Sequence, residues 1–276
     1  MESEEEPSQP TPTERKRTVS TIVLTQADES HVRPALPRKA TSPRDALARM
    51  PILLGSGAAV LDELAQGAEF VRLSSSATVF ERGSQPTGLF FVCNGAVRLM
   101  VSGPEGKDKV VELFEPGGMF GEIGVFTGAR YRTWTQAVGS VVLIHVPRER
   151  VLAAVALDNA LSNRMLVAVC ARIQRLIDAI GSTAGGPAAV RVASYLLEQL
   201  ERGARSDGCI VLPAPKKTIA SLLNLTPETL SRVLRNLVEE GVLTVSGRRI
   251  RVRNRAQLAR LLTHDEAALP LRAHPG

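Results

Sequence analysis

Between Lys216 and Gly241 the sequence spells two short helices joined by a tight turn, and this pair constrains the rest of the chain. The first helix runs from about Lys217 to Leu223, with Ile219, Ala220, Leu222 and Leu223 apolar. Asn224 and Leu225 carry the turn. Thr226 can cap the open amides of the second helix, Pro227 suits its first turn, and Glu228 sits near the positive end of the dipole. Leu230, Val233, Leu234, Leu237 and Val238 recur at three and four residues, which predicts a buried stripe. Gly241 is the C-terminal stop. Glu228, Thr229, Ser231, Arg232 and Arg235 are left on the other side. In a helix-turn-helix that end of the second helix enters the major groove. An ordinary helical hairpin with a solvated face has the same periodicity, so the residue types matter. Arginine donates in pairs to guanine, glutamate accepts from the amino group of cytosine, and a further arginine can reach a phosphate.

The next residues favour a nucleic-acid surface. Val242 to Val245, a Ser246-Gly247 turn and Arg248 to Arg253 read as a β-hairpin. Ile250 and Val252 alternate with Arg249, Arg251 and Arg253, so one face is apolar and the other basic. A basic ribbon beside a helix-turn-helix is a winged-helix arrangement. From Ala184 to Gly276 there are fourteen Lys and Arg against eight Asp and Glu, an excess of six that equals the +6 of the whole chain. Basic charge concentrated in this way is the footprint of phosphate binding. The candidate DNA-contacting set is Thr226, Glu228, Thr229, Ser231, Arg232 and Arg235 from the second helix, Lys217 from the first, and Arg248 and Arg249 from the ribbon.

A length of 276 residues predicts two domains, and a 44% apolar fraction is ample for their cores. No apolar run approaches the roughly 20 residues that span a membrane, so no membrane partner is expected. The acidic start is unlike a secretory signal, which points to the cytoplasm. Cys93, Cys170 and Cys209 form no close pair and fit three small buried residues in a reducing compartment. No nucleophile–base pairing, metal-ligand spacing or P-loop marks an enzyme or a metal site. Residues 1–45, rich in Ser, Thr, Pro and charge, read as a disordered tail with one short ordered patch at Thr21 to Thr25. A solubilising extension and a regulatory segment both fit it.

From Arg44 to Ala68 the apolar spacing is helical, through Leu47, Met50, Val60, Leu61 and Leu64. Phe70 to Val146 then reads as short strands, with a hairpin expected at Asn94-Gly95 and further strands at Lys109 to Phe114 and Thr135 to Val146. Such spacing predicts a small barrel or jelly roll. Within it, Pro116 to Gly124 clusters glycines around Glu122, and Arg132, Thr133 and Trp134 follow. Converging amides and an arginine can hold an anion, and Glu122 can accept from a sugar hydroxyl. A buried Glu122–Arg132 pair that binds nothing fits equally well. The candidate effector residues are Gly121, Glu122, Ile123, Arg132, Thr133 and Trp134. Val151 to Ile180 reads as one long helix with a seam of Leu166, Val169, Ile173, Leu176 and Ile180, the pattern of a helix that pairs with its own copy; packing against its own β domain is the alternative, and the two are compatible. Gly181 to Pro187 reads as a hinge, Val190 to Leu200 as another helix, and Gln257 to Leu262 as a last short one. The expected division is a tail at 1–45, a sensor at 46–150, a dimerisation helix and hinge at 151–183, a winged helix-turn-helix at 184–263 and a tail at 264–276.

Over roughly Leu47 to Leu262 the pattern resembles the CRP/FNR family of bacterial transcription regulators. The resemblance rests on Phe120-Gly121-Glu122 with Arg132-Thr133, the seamed helix, and Pro227-Glu228-Thr229-Leu230-Ser231-Arg232, in that order. It implies an α+β fold with an N-terminal cyclic-nucleotide-binding-type β-roll, a long dimerisation helix and a C-terminal winged helix. It also implies a homodimer on a two-fold operator and RNA polymerase as a partner. Glu228 to Arg232 follows the FNR/Dnr order rather than the CRP order, which implies half-sites near TTGAT with Arg232 on guanine and Glu228 on the opposing cytosine. By resemblance, Glu122 and Arg132 match the sugar- and phosphate-binding residues of cyclic-nucleotide-binding members. However, Leu176 and Ile177 stand where a hydroxyl would meet adenine, and Trp134 stands where alanine is usual. An Fe–S cluster of the FNR type is not expected, since the first 45 residues contain no cysteine. A haem sensor remains open, with His145 as the conceivable ligand and a structural strand-end histidine as the alternative. His31, His264 and His274 fall in expected tails. Three functions fit: a regulator that senses something other than cyclic AMP or nothing, a cyclic-nucleotide-gated regulator, and a nucleotide-binding module whose C-terminal domain contacts protein.

Overall fold

The computed structural model describes residues 42–103, 106, 108–183, 187–202 and 208–263, with 178–183 and 263 described by their backbone. The Thr21 to Thr25 patch, His31, His264 and His274 lie outside them. Helix α1 (Pro43–Leu47) starts inside the expected tail, because the Ser42 hydroxyl accepts from the Asp45 amide at 3.2 Å. A turn of 3₁₀ helix (Pro51–Leu53) and α2 (Ala58–Ala65) follow.

Five strands form one antiparallel sheet: β1 (Glu69–Leu73), β2 (Gly88–Ser102), β3 (Asp108–Phe114), β4 (Met119–Phe120) and β5 (Trp134–Pro147). The order is β1-β5-β2-β3, with β4 also on β2. Strand β2 is buried on both faces, which explains the unbroken apolar run from Leu89 to Val92. One face packs Phe91 and Ile144 against Leu47, Leu64, Leu161 and Met165. The other packs Phe90, Val92 and Leu143 against Phe80, Phe114, Phe120 and Tyr131. The aromatic rings there are in direct contact, with Phe80 stacked on Tyr131 at 3.7 Å and Phe114 on Phe120 at 5.0 Å.

Asn94-Gly95 makes no hairpin. Strand β2 runs through it and pairs with β5 from Gly88↔Pro147 to Met100↔Trp134, with register shifts at Val92/Asn94 and Asn94/Ala96. Gly95 takes φ 77°, and a Cβ there would lie 2.4 Å from the Ser140 carbonyl oxygen. The positive φ serves a bulge that bends the strand instead of reversing the chain.

The expected long helix is two helices. Helix α4 (Arg148–Leu157) and α5 (Asn159–Thr183) meet at 117°. Asp158 is extended, and its carboxylate accepts from the Ala160 amide at 2.8 Å, so it ends one helix and caps the next. The α5 backbone stays helical through Gly181 to Thr183, into the expected hinge. No single described helix is long and apolar enough to cross a membrane, and α4 with α5 passes that test only as a bent pair.

The C-terminal part holds α6 (Ala188–Arg202), β6 (Cys209–Val211), α7 (Lys216–Leu222), α8 (Pro227–Glu239), β7 (Leu243–Ser246), β8 (Arg249–Val252) and α9 (Arg255–Thr263). Strand β6 was not anticipated; it widens the hairpin to a sheet of order β6-β8-β7. Ser246 pairs with Arg249, so the turn is Gly247-Arg248, one residue later than expected. Val192, Leu196, Ile219, Leu230, Leu234, Leu237, Leu243 and Ile250 form its core. Helix α7 packs on β3, and the Val110 amide donates to the Ser221 hydroxyl at 3.1 Å. This docking covers an otherwise open sheet edge.

Candidate functional site

Helix α8 starts where its local sequence dictates. Thr226 is extended and its hydroxyl accepts from the Thr229 amide at 3.2 Å, with Pro227 in the first turn. Asn224, at φ 54°, supplies the left-handed step between the helices, and the Leu225 amide closes the turn on the Ala220 carbonyl at 2.8 Å. Leu230, Leu234 and Leu237 anchor the helix. Val238 does not join them: it is 39% exposed, and Val233 is half-buried.

Glu228, Ser231, Arg232 and Arg235 are exposed together on the outer face of α8, and Lys217 is exposed on α7. Thr229 is half-buried, and its hydroxyl lies 3.1 Å from that of Thr226, so it belongs to the cap as much as to the surface. Hydrogen bonds from its own backbone amide, and then from the Thr226 hydroxyl, hold the Glu228 carboxyl below its usual range. It therefore stays an acceptor at neutral pH. Arg249 and Arg253 are exposed along the ribbon. Arg248 is tethered instead: its Nε and Nη2 donate to the Leu212 carbonyl at 2.9 and 2.6 Å, which ties the turn to the chain before α7.

Of the two arrangements open to the effector residues, the buried Glu122–Arg132 pair is not the one observed. Gly121 takes φ 95° and starts α3 (Glu122–Thr127); a Cβ there would lie 2.9 Å from the Gly88 carbonyl oxygen. Glu122 is 3% exposed and ion-paired, but its partner is Arg172 of α5, not Arg132. Arg132 is exposed, Ile123 is 67% exposed, and Thr133 and Trp134 are half-buried. The buried Glu122–Arg132 pair is thus not formed, and Arg132 is left open to solvent.

Arg172 is the residue that sequence reasoning missed. Its Nε lies 3.0 Å from Glu112, its Nη2 donates to the Met119 carbonyl at 2.9 Å, and its guanidinium carbon sits 4.9 Å over the Phe114 ring. Arg175 adds a second contact to Glu112 at 3.4 Å. Glu112 is aimed by a bulge: Leu99 pairs with Glu112 and Met100 with Val110, which leaves Val111 unpaired. Burial raises the Glu112 carboxyl despite the two arginines. The second oxygen of Glu122 and the Tyr131 hydroxyl are buried without hydrogen-bond partners, and burial, then Glu122, pushes Tyr131 up to about 12. A signal existed in the sequence: Leu161, Met165, Ala168 and Arg172 follow the four-three-four spacing of the inward face of α5.

The opposite face of α5 is apolar and exposed, with Leu166 and Val167 each at 61%, Ile177 at 55% and Ile173 at 51%. Leu176 is 38% exposed and Val169 half-buried; the Ile180 side chain lies outside the described residues. None of the three cysteines is in a disulfide. Cys170 is exposed on α5 rather than buried, and burial pushes the Cys93 thiol up to about 11. His145 does not fit a haem. Its ring lies 4.9 Å from Phe90, Nδ1 is 3.7 Å from Glu69, and Nε2 is buried against the Gly88 backbone, so Nε2 is closed to iron while β2 and β5 are paired.

A sequence model of the Crp-like helix-turn-helix domain matches residues 190–261, and one of the cyclic nucleotide-binding domain matches residues 70–158. The nitrogen fixation regulation protein FixK of Azorhizobium caulinodans is 30% identical over 212 residues, 72% of this chain and 84% of FixK. The CRP-like cAMP-activated global transcriptional regulator of Mycobacterium tuberculosis is 24% identical over 221 residues, 78% of this chain and 97% of that protein. The solved structure of FixK2 from Bradyrhizobium japonicum superposes with a TM-score of 0.64 at 27% identity, covering 70% of this chain and 96% of FixK2. With its β-sheet domain, its following helices and its C-terminal helix-turn-helix, the chain belongs to the CRP/FNR family of DNA-binding transcription regulators, which are not enzymes.

Proposed function

We propose that the protein acts in the cytoplasm as a homodimer that reads a two-fold operator with half-sites close to TTGAT. The observation that carries this is the outer face of α8, where Arg232 and Glu228 stand exposed over a buried leucine stripe. Arg232 would donate in pairs to guanine and Glu228 would accept from the opposing cytosine. Ser231, Thr226 and Thr229 would contact bases or backbone, and Arg235, Lys217 and Arg249 would reach phosphates; the tethered Arg248 would shape the ribbon. The exposed stripe of α5 supports pairing with a second copy, which would set the half-sites about 34 Å apart. In this division residues 46–150 sense, the helices of 151–183 dimerise, and 184–263 bind DNA, with RNA polymerase as the downstream partner.

The effector is something other than cyclic AMP, or none. One oxygen of Glu122 is engaged by Arg172, Arg132 is exposed, and Leu176 and Ile177 offer a base no hydrogen bond. The match of residues 70–158 to the cyclic nucleotide-binding domain favours the second reading, a cyclic-nucleotide-gated regulator.

One titration separates these readings: a TTGAT-N4-ATCAA duplex against purified protein, with and without cyclic AMP, over a salt series. Equal, tight binding in both conditions, weakening log-linearly with salt, is expected. Binding only with the nucleotide supports the second reading. No preference over a scrambled duplex refutes the half-site assignment. Salt-insensitive or absent binding points to a C-terminal domain that contacts protein.

A further inference from the structure

A groove of about 1460 Å³ runs between the β domain and the C-terminal part, with walls from β3, α5, α6 and α7. Its charges are almost all spent on one another. Six arginines and four glutamates line it, and five of the arginines and three of the glutamates are ion-paired. Among the described residues, Arg191 and Glu115 are the two left over, and Glu122 is not part of the walls.

Glu115 opens a tight turn. The Gly118 amide donates to its carbonyl at 2.8 Å, with Pro116 and Gly117, at φ 89°, in the middle. The Glu115 carboxylate is half-buried and accepts from the Gln199 side chain, and burial raises it. Arg202, close by, is held by Glu198 at 2.6 Å. Tyr195 is 7% exposed, and its hydroxyl is buried without a hydrogen-bond partner. Burial and then Glu115 push that hydroxyl up, so it stays protonated. The Nε of Arg191 is buried and unpartnered as well. Arg191, Tyr195 and Gln199 recur at four residues and so share one face of α6. Folded proteins rarely leave such groups unmet, and these ask for a molecule with an anion at one end and a donor at the other. Arg191 and Gln199 are eight residues apart, which is about 12 Å along the helix axis. An extended dipeptide spans about 7 Å, and a hydrogen bond of about 2.9 Å at each end brings its reach to about 13 Å. A single α-amino acid falls short.

We propose that this groove binds a short apolar peptide with both termini free. Its carboxylate pairs with Arg191, its ammonium group donates to Glu115 and to the Tyr195 hydroxyl, and its side chains lie against Leu176, Leu222, Leu223 and Leu262. This names a class for the effector and rests on the reading above that the effector is other than cyclic AMP. Occupancy ties the Glu115 turn of the β domain to α6 and α7, and α7 is the first helix of the DNA-reading pair.

The test is isothermal titration calorimetry on the full-length protein with dileucine, divaline and diphenylalanine. The controls are N-acetyl-dileucine and dileucine amide, which each lack one terminal charge, free leucine and cyclic AMP. At least one dipeptide should bind saturably, and each control should bind about tenfold more weakly or not at all. Arg191→Met and Glu115→Gln should each cost about tenfold in dipeptide affinity, with unliganded melting curves showing that both variants fold. Glu115→Gln should no longer distinguish dileucine from its acetylated form, nor Arg191→Met dileucine from its amide. If either variant does not fold, the blocked peptides on wild type decide alone. The proposal is overturned if no dipeptide binds, if the blocked forms bind as well as the free ones, or if both substitutions leave affinity unchanged. Duplex affinity, measured alongside, should shift by about fivefold or more with peptide. Peptide binding without that shift refutes the effector role and leaves the site standing. A wild type that takes up peptide and ignores the duplex refutes the DNA reading instead.

Discussion

Arg232→Ala isolates base reading from everything else the protein does. In the unbound protein Arg232 is exposed, with no hydrogen bond or ion pair among the described residues, so truncation breaks neither. Its folding cost should lie within about 0.5 kcal/mol. On the operator, a bidentate arginine–guanine pair discriminates by about 1–3 kcal/mol. A two-fold dimer makes the contact twice, so a symmetric operator should lose about 2–6 kcal/mol, at least about thirtyfold in affinity.

Fluorescence anisotropy at fixed salt measures this on four combinations: wild type and variant, each on TTGAT-N4-ATCAA and on the duplex with both guanines replaced. Wild type should fall steeply on the altered duplex, while the variant should bind both duplexes about equally. The coupling across that cycle is the quantity of interest. Lys217→Ala is the control for a phosphate contact. It should weaken all duplexes alike and reduce the salt slope by about 0.9 for each lost contact. If Arg232→Ala behaved like Lys217→Ala, with equal weakening on every sequence and discrimination intact, the base-reading role would be refuted.

Other consequences follow from burial and charge. Leu166→Asp with Ile173→Asp places charge on the exposed face of α5 and should give a folded monomer in sedimentation equilibrium; a persistent dimer would move the interface elsewhere. Leu234→Ala, at 4% exposure, should cost about 2–5 kcal/mol in chemical denaturation, whereas Val238→Ala, at 39% exposure, should cost under about 1 kcal/mol. Comparable losses would restore Val238 to the buried stripe. Burial lowers the His145 imidazole from its ordinary 6.5, with Glu69 opposing. Its contribution to stability is therefore full above pH 6.5 and lost as pH falls through the lowered value. Melting of the wild type should drop between pH 7 and 5, and His145→Gln should flatten that drop; parallel curves would clear His145 of the effect.

The recognition helix was legible because its signals are local. Thr226, Pro227 and Gly241 mark its ends within one segment, and three of five apolar positions are buried as their spacing requires. Elsewhere a local signal had two structural solutions. Asn94-Gly95 announces a positive φ, and only the long partner strand β5, supplying Ser140 and Val141 opposite, decides for a bulge over a reversal. Asp158 could have been read as a cap, since Asp is poor within helices and strong at their starts, but the apolar periodicity on both sides masked it. The sensor pairing failed for a plainer reason. Glu122 and Arg132 are near in sequence, whereas the observed partner lies 50 residues away on another helix, and no spacing rule reaches that far.

That distant contact changes how the two halves of the chain are joined. Edge strand β3 meets both of the elements that matter. Its Val110 amide binds Ser221 of α7, the first helix of the DNA-reading pair, and two residues on, across the bulged Val111, Glu112 binds Arg172 of α5. Helix α5 in turn presents the exposed apolar stripe on its far side. A slide of α5 by one helical turn would carry Arg172 about 5.4 Å along the axis and out of reach of both carboxylates. The exposed apolar stripe would be displaced by the same step, and the segment of β3 that seats α7 would lose its charge partner. Seating of Arg172, position of the apolar stripe and docking of the helix-turn-helix are therefore not three independent settings. They share one bulged strand and one helix, and Arg172→Ala should therefore change protease sensitivity at α7 as well as at α5; a change confined to α5 would refute the coupling.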